Sequence, residues 1–273
     1  MKPSAKEKLL CECLFANRRQ KGNIAFDTVA NAIIANKIIS KDIDAKGIVT
    51  KQIVAKGNIP MIKIWDLATR LYHWLQALLV FVLLLTGLNG AGSTLLHQGS
   101  GAVLFLLLIW RIIWGMVGSE TSRFANFIPS ARRLLSYLRG KATDYTGHNP
   151  AGGAMVLLML SLLIFQVATG LVISEWIDSR SLLGRQIVRT VETLHALSSW
   201  LLCGAITLHI GAIALYRWAG KPLVRTMITG YQASSGKAPV IASHRRAGAV
   251  LLLSLLLSAG LLLGVSQLGT PAA

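Results

Sequence analysis

The stretch TLHALSSWLLCGAITLHIGAIAL, residues 193–215, decides the fold of this chain. It contains no acidic residue, lysine or arginine, and a helix needs about 20 such apolar residues to cross a bilayer. Within it, His195 and His209 are fourteen residues apart. A helix rises about 21 Å over that separation and returns nearly to the same face. The stretch therefore predicts a membrane-spanning helix with one imidazole near each surface of the bilayer.

Two more histidines stand near the starts of earlier apolar segments. His73 lies in LYHWLQALLVFVLLLTGL (71–88), and His97 lies in LLHQGSGAVLFLLLIWRIIWG (95–115). Length and hydropathy predict five spanning segments in all. They run over roughly 71–91, 97–118, 150–173, 193–216 and 247–266. The predicted fold is an all-α membrane protein, a four-helix transmembrane bundle plus a fifth C-terminal transmembrane helix.

The charge distribution argues for a membrane and against nucleic acid. Hydrophobic residues make up 53% of the chain and charged residues 14%, with a net charge of +17. Connection 92–96 has no lysine or arginine, whereas 119–149 has five and 217–246 has six. Positive charge in alternate loops marks the cytoplasmic side. We therefore expect a cytoplasmic N-terminus and an outer C-terminus.

This orientation pairs the four histidines by depth. His73 and His209 fall near the cytoplasmic face, and His97 and His195 fall near the outer face. Neutral imidazoles on both axial positions hold an electron-transferring haem iron, and a helix bundle can present them inward. The alternative for each is an interfacial histidine bonded to a neighbour. Since no CxxCH motif occurs, the pattern predicts two non-covalent b-type haems with these four residues as iron ligands.

Other residues are candidates for contact with a cofactor. Arg70 lies one turn before the first histidine and Arg111 late in the second segment. Either can pair with a haem propionate, or extend to the lipid headgroups instead. His148, in GHNPAGG (147–153), caps the third spanning helix, binds a propionate or lines a quinone pocket. A set of glycines either admits a flat porphyrin or serves close helix packing: Gly87, Gly99, Gly101, Gly170, Gly204 and Gly211.

Two stretches fall outside the spanning segments. FANFIPSARRLLSYLRG (124–140) is too charged to span and predicts an amphipathic surface helix. Its boundary residues would be Phe124, Phe127, Leu134, Leu135 and Leu138. Within residues 1–60, a five-residue period begins at Ala30, and about six such short repeats are too few to bury the core of a solenoid. Residues 1–60 indicate a basic low-complexity tail, or an upstream stretch outside the native product, whose start is then Met61.

Several of these motifs resemble the bacterial cytochrome b561 family, which includes the b-type cytochrome subunit of nickel–iron hydrogenases. They are WDLATRLYHWLQ (65–76), the TGL closing the first segment, GHNPAGG and the paired histidines of the fourth segment. The resemblance covers about 62–232. It implies two b haems in four helices of the bacterial plasma membrane, exchanging electrons between quinone and a partner. By position, the family's ligands match His73, His97, His195 and His209.

The resemblance also divides the chain. It predicts the tail at 1–60, a cytochrome b transmembrane domain at 61–232, and a linker with an extra transmembrane helix at 233–273. The first and last parts depart from the family pattern, and the redox partner is usually determined by parts outside the haem-binding core. The sequence therefore leaves two candidate partners, a c-type cytochrome and a hydrogenase-like subunit.

The predicted function is that of an integral membrane dihaem b-type cytochrome. It would transfer electrons between the quinone pool and a redox partner in a respiratory chain. Whether it is itself the quinone-reactive subunit of an oxidoreductase is left open by the sequence. The alternative is a haem-containing membrane anchor of a hydrogenase or other oxidoreductase complex, without catalysis of its own. A transporter is disfavoured, because transporters use broken helices at their sites.

Overall fold

The computed structural model describes residues 60–92, 94–140, 145, 147–174, 176, 179–234 and 237–268. Apart from Pro60, the predicted tail at 1–60 lies outside the described residues. Within the described part, nine helices and two short strands follow one another. In chain order they are β1 (Met61–Lys63), α1 (Leu67–Leu88), α2 (Leu95–Val117), α3 (Phe124–Phe127), α4 (Ala131–Leu138), α5 (Pro150–Ile173), α6 (Ser179–Leu183), α7 (Arg185–Trp218), α8 (Leu223–Thr229), β2 (Tyr231–Ala233) and α9 (His244–Leu268).

Among the described residues, five helices are long and apolar enough to cross a membrane: α1, α2, α5, α7 and α9. Many of their large apolar side chains point outward, including Phe81, Trp200 and Leu256. In water such a surface would be costly, whereas lipid is a suitable solvent for it. The predicted all-α membrane fold with five spanning helices is therefore confirmed.

Capping residues define where these helices begin. Asp66 caps α1 by accepting a hydrogen bond from the backbone N–H of Thr69 at 2.7 Å. Asn149 caps α5 in the same way through Gly152 at 2.7 Å, with Pro150 in the first turn. Side-chain oxygens at these positions satisfy amides that have no partner within the helix. The cap at Asp66 starts the first helix four residues before the predicted residue 71.

The helix α7 is longer than its apolar part. It has 34 residues and begins at Arg185, eight residues before the predicted start at 193. A helix of this length spans about 51 Å, which exceeds a hydrocarbon core of about 30 Å. Its charged first turns therefore extend the helix beyond the apolar segment, and hydropathy detected only that segment.

The predicted single surface helix over 124–140 is wrong. The structure divides this stretch into α3 and α4, with Pro129 between them. Proline has no backbone N–H and disfavours a helical conformation in the residue before it. Phe127 is also buried, at 7% exposure, instead of lying at the wet–dry boundary.

The core of the bundle is shared by four of the long helices. A buried cluster joins Val80 of α1, Leu104 and Leu108 of α2, Leu163 of α5 and Leu202 of α7. In the described residues, α1 packs on α2, α2 on α5, and α5 on α7. This arrangement surrounds an interior space with one face of each helix.

The fifth long helix, α9, packs outside this bundle. It contacts α2, where Val250 lies against Trp110 and Trp114. A two-stranded antiparallel ribbon, absent from the sequence prediction, pairs β1 with β2, Ile62 opposite Gln232. The ribbon joins the segment before α1 to the segment after α8.

Candidate functional site

A cavity of about 560 Å³ lies between α1, α2, α5 and α7, at the end of the bundle where α2 and α7 begin. Ligand sites usually have volumes of about 300–1,000 Å³ and mainly apolar walls with few polar groups. Here the walls are mainly apolar too. Among the lining residues are His97, His195, Gly87, Gly101 and Gly170.

His97 and His195 face each other across this cavity. Their ring centroids are 6.5 Å apart, and the ring planes make an angle of 73°. Each lies in the first part of its helix, α2 for His97 and α7 for His195. Neutral imidazole is the commonest protein ligand of metal ions, so two such rings on one cavity are candidate metal ligands.

Threonine hydroxyl groups hold both rings from behind. Thr86 Oγ1 lies 2.8 Å from His97 Nδ1, and Thr169 Oγ1 lies 2.9 Å from His195 Nδ1. When Nδ1 of a histidine is engaged in this way, Nε2 is the nitrogen available to a metal. Sequence reasoning missed both threonines, although the tripeptide Thr-Gly-Leu occurs twice, at 86–88 and 169–171.

The glycine of each tripeptide allows the imidazole to approach closely. A Cβ atom added at Gly87 would lie 3.3 Å from His97 Cε1, and one at Gly170 would lie 3.3 Å from His195 Cε1. A Cβ atom added at any of the other candidate glycines would meet nothing within 4 Å among the described residues: Gly99, Gly101, Gly204 and Gly211. Close helix packing therefore does not account for these four.

His73 and His209 form a second pair at the other end of the bundle. His73 lies near the start of α1 and His209 late in α7, and the two are close enough to interact electrostatically. Within the described part of the chain, His73 Nδ1 is buried without a hydrogen-bond partner. The four histidines thus form two groups of two, separated along α7 by about 21 Å of helix.

Arg111 is buried near this second pair, at 5% exposure. Its guanidinium lies 4.8 Å from the ring centroid of Phe124 and 5.8 Å from that of Phe127. It also donates to the backbone carbonyl of Ser122 at 3.3 Å. The expectation that its side chain extends to the lipid headgroups is therefore wrong, because aromatic rings and a carbonyl hold the cation inside the protein.

A buried polar cluster surrounds the N-terminus of α1. The carboxylate of Asp66, at 3% exposure, accepts hydrogen bonds from the hydroxyl groups of Thr69 at 2.8 Å and Ser122 at 3.3 Å. Trp114 donates its indole N–H to the Thr69 hydroxyl at 3.0 Å. Arg111 interacts electrostatically with this carboxylate. The cluster supplies a buried cation and anion beside the His73 end of the bundle.

Arg70 does not reach toward the lipid headgroups either. Its guanidinium donates to the backbone carbonyl of Ile228 in α8. Its Nε atom is buried and has no partner among the described residues. The side chain therefore fixes α8 against α1 and keeps one donor free.

His148 is not the cap of α5, because Asn149 takes that role. Its ring packs against Trp65 at 4.8 Å and Phe127 at 4.7 Å between centroids. Burial and the nearby Arg111 guanidinium lower the pKa of His148 to about 4, so the ring is neutral at physiological pH. Its Nδ1 has no partner in the described part of the chain, and the ring lines a second cavity of about 540 Å³.

A family model described as prokaryotic cytochrome b561 matches residues 64–230 of the chain. The protein belongs to this family. The prediction made from its motifs is confirmed, and the matched residues run from just before α1 to just after α8. Cytochromes of the b561 family carry b-type haem, so the protein is a multi-pass membrane b-type cytochrome that transfers electrons.

Curated relatives are similar over the same region. A "Probable Ni/Fe-hydrogenase B-type cytochrome subunit" of Bradyrhizobium diazoefficiens is 25% identical over 211 residues, covering 63% of this chain and 85% of the relative. One from Cupriavidus necator is 24% identical, covering 62% and 86%. The "Probable Ni/Fe-hydrogenase 1 B-type cytochrome subunit" of Escherichia coli strain K12 is 22% identical, covering 64% and 92%. No solved structure is significantly similar to the chain.

Proposed function

We propose that this b561-family protein is a dihaem cytochrome b, with one haem between His97 and His195 and the other between His73 and His209. The distance between the first two rings carries the proposal. Metal–imidazole bonds are about 2 Å long and the ring centroid lies roughly 1.1 Å beyond each nitrogen, so two axial imidazoles on one metal have centroids about 6 Å apart. The centroids of His97 and His195 are 6.5 Å apart.

The surroundings of this pair fit a flat, mainly apolar group. The cavity between the rings has a volume of about 560 Å³, and a Cβ at Gly101 on its wall would meet nothing within 4 Å. The bound haem supplies reversible one-electron chemistry. The chain contributes two neutral imidazoles, bonded at Nδ1 and free at Nε2, and apolar walls that exclude water.

The second site is proposed from His73 and His209 together with the polar groups near them. The Arg111 cation and His73 both act electrostatically on the neutral ring of His148. Arg70 keeps a buried Nε donor without a partner in the described residues. We assign Arg70, Arg111 and His148 as the groups that stabilise the propionates of this haem, because charge-assisted hydrogen bonds to carboxylates are strong.

The proposed role is electron transfer across the membrane between a redox partner and the quinone pool. The partner we propose is a hydrogenase-like subunit, because the similar proteins carry hydrogenase names; a c-type cytochrome is the other candidate. The loop charges support a cytoplasmic N-terminus, which would set His97 and His195 near the outer face of the bacterial plasma membrane. The second candidate role, a haem-containing anchor subunit, has the same haems without quinone turnover.

A haem assay on the purified full-length protein tests the two-site proposal. Two extractable haems per chain are expected, with one lost in His97→Ala and the other in His209→Ala. One haem per chain, or loss of the same spectral component in both variants, would overturn it. Reduction of the haems by a quinol in liposomes then separates the quinone-reactive role from that of an anchor.

A further inference from the structure

The hydroxyl groups of Thr86 and Thr169 each stand between an imidazole and a helix carbonyl. Thr86 Oγ1 is 2.8 Å from the carbonyl oxygen of Val82 and 2.8 Å from His97 Nδ1. Thr169 Oγ1 is 2.8 Å from the carbonyl oxygen of Phe165 and bonds His195 at nearly the same distance as in the first pair. The same order of carbonyl, threonine hydroxyl and imidazole therefore occurs at both histidines of the cavity.

This arrangement fixes which atom carries each proton. A carbonyl oxygen accepts only, and a hydroxyl has a single hydrogen. When the Thr86 hydroxyl donates to Val82, its oxygen is left to accept from His97, so His97 Nδ1 must carry a hydrogen. The same reasoning puts a hydrogen on His195 Nδ1 when the side-chain amide of Gln166, 3.2 Å from that atom, turns its oxygen toward the ring. Both rings then present an unprotonated Nε2, the state that binds a metal.

The helix backbone near each ring favours the same tautomer. The backbone of Leu83 acts electrostatically on the His97 ring and that of Gln166 on the His195 ring, each three residues before the threonine. The threonine hydroxyl is the hydrogen-bond partner of Nδ1 in both rings, so its removal changes the bond at that nitrogen.

We propose that Thr86 and Thr169 are positioning residues that set the reduction potential of the haem between His97 and His195. The inference rests on the proposed function, since it needs a haem at that place. A hydrogen bond from Nδ1–H raises the basicity of the ligand, which favours ferric over ferrous iron and lowers the potential. His73 Nδ1 has no such partner among the described residues, so the effect is confined to one of the two haems.

Valine and serine substitutions test this role in the purified full-length protein. Thr86→Val and Thr169→Val keep the shape of the side chain and remove the hydroxyl; Thr86→Ser and Thr169→Ser keep the hydroxyl. Thr207→Val is the matched control, because Thr207 bonds the carbonyl of Cys203 at 2.9 Å in the same way and is solvent- or lipid-exposed. Haem content, redox titration and the electron paramagnetic resonance of the ferric haems are measured for each.

The valine variants are expected to keep both haems and to raise the potential of one component, further in the double variant. The serine variants and Thr207→Val should match the wild-type protein. Loss of one haem with valine but not with serine would show a role in holding the haem and would overturn the proposed role in setting its potential. Unchanged potentials with valine, or equal shifts with valine and serine, would overturn the proposal. If His97→Ala leaves the haem content unchanged, the proposed site itself fails, which is a separate result.

Discussion

Arg111 occupies in α2 the position that His209 occupies in α7. Each lies fourteen residues after the histidine near the start of its helix, His97 for Arg111 and His195 for His209. The helix pairs α1–α2 and α5–α7 therefore share three features. The first helix of each pair carries a Thr-Gly dipeptide, and the second carries a histidine bonded to that threonine. The second helix also has a polar residue about four turns after this histidine. This polar residue is His209 in the α5–α7 pair and Arg111 in the α1–α2 pair. The guanidinium of Arg111 therefore gives the His73 end of the bundle a permanent positive charge.

Replacing Arg111 by methionine should lower the potential of the haem assigned to His73 and His209. A buried positive charge favours the reduced iron, since the net charge of the surroundings contributes to the potential. Arg132→Met is the control, because Arg132 is exposed on α4. Redox titration of both variants gives the comparison. Equal potentials in wild-type protein and Arg111→Met would contradict the prediction.

Leucine at position 101 should displace the haem between His97 and His195. Gly101 lines the cavity and has open space at its Cβ position, so an added side chain can enter the space that the haem would occupy. Gly204→Leu is the matched control, because Gly204 also has open space but does not line this cavity. Haem per chain is measured for both. Retention of two haems in Gly101→Leu would rule out a flat group at this wall.

Alanine at position 66 should destabilise the bundle by about 1–2 kcal/mol, the usual cost of losing a helix cap. The change also removes the carboxylate that accepts from the buried hydroxyl groups of Thr69 and Ser122, which then keep their bond to each other. Asp66→Asn keeps one oxygen and should cost less. Thermal unfolding in detergent is the measurement. Equal midpoints for Asp66→Ala and the wild-type protein would show that the cap contributes little.

Expression from Met61 should yield a protein with unchanged haem spectra. Residues 1–60 contain no histidine and precede both the β1–β2 ribbon and the region matched by the family. Reduced spectra and haem content of the shortened and full-length proteins are compared after membrane insertion has been verified. Loss of haem from well-inserted shortened protein would refute the prediction.

Hydropathy and histidine spacing predicted the long helices because both are local. A run of apolar residues is visible within 20 positions, and the period of a helix relates His195 to His209 directly. The pairing of His97 with His195 was predicted from the loop charges and the direction of each helix, and both can be derived from the sequence.

The polar surroundings were not predictable in this way. Asp66 and Ser122 are 56 residues apart and meet only after α1 and α2 have packed. The sequence left Arg111 between a haem propionate and the lipid headgroups, because its burial depends on Phe124 and Phe127 folding back over it. The break between α3 and α4 did have a local signal, Pro129, which the amphipathic pattern obscured.

The ribbon between β1 and β2 has a consequence for how this bundle is joined to other proteins. The backbone N–H of Ser234 donates to the carbonyl of Pro60 at 3.2 Å, so the helical core begins and ends at one point. Folds whose ends meet tolerate circular permutation and domain fusion. A segment that enters at β1 and one that leaves from β2 therefore start side by side, and in this chain the second of them leads to α9.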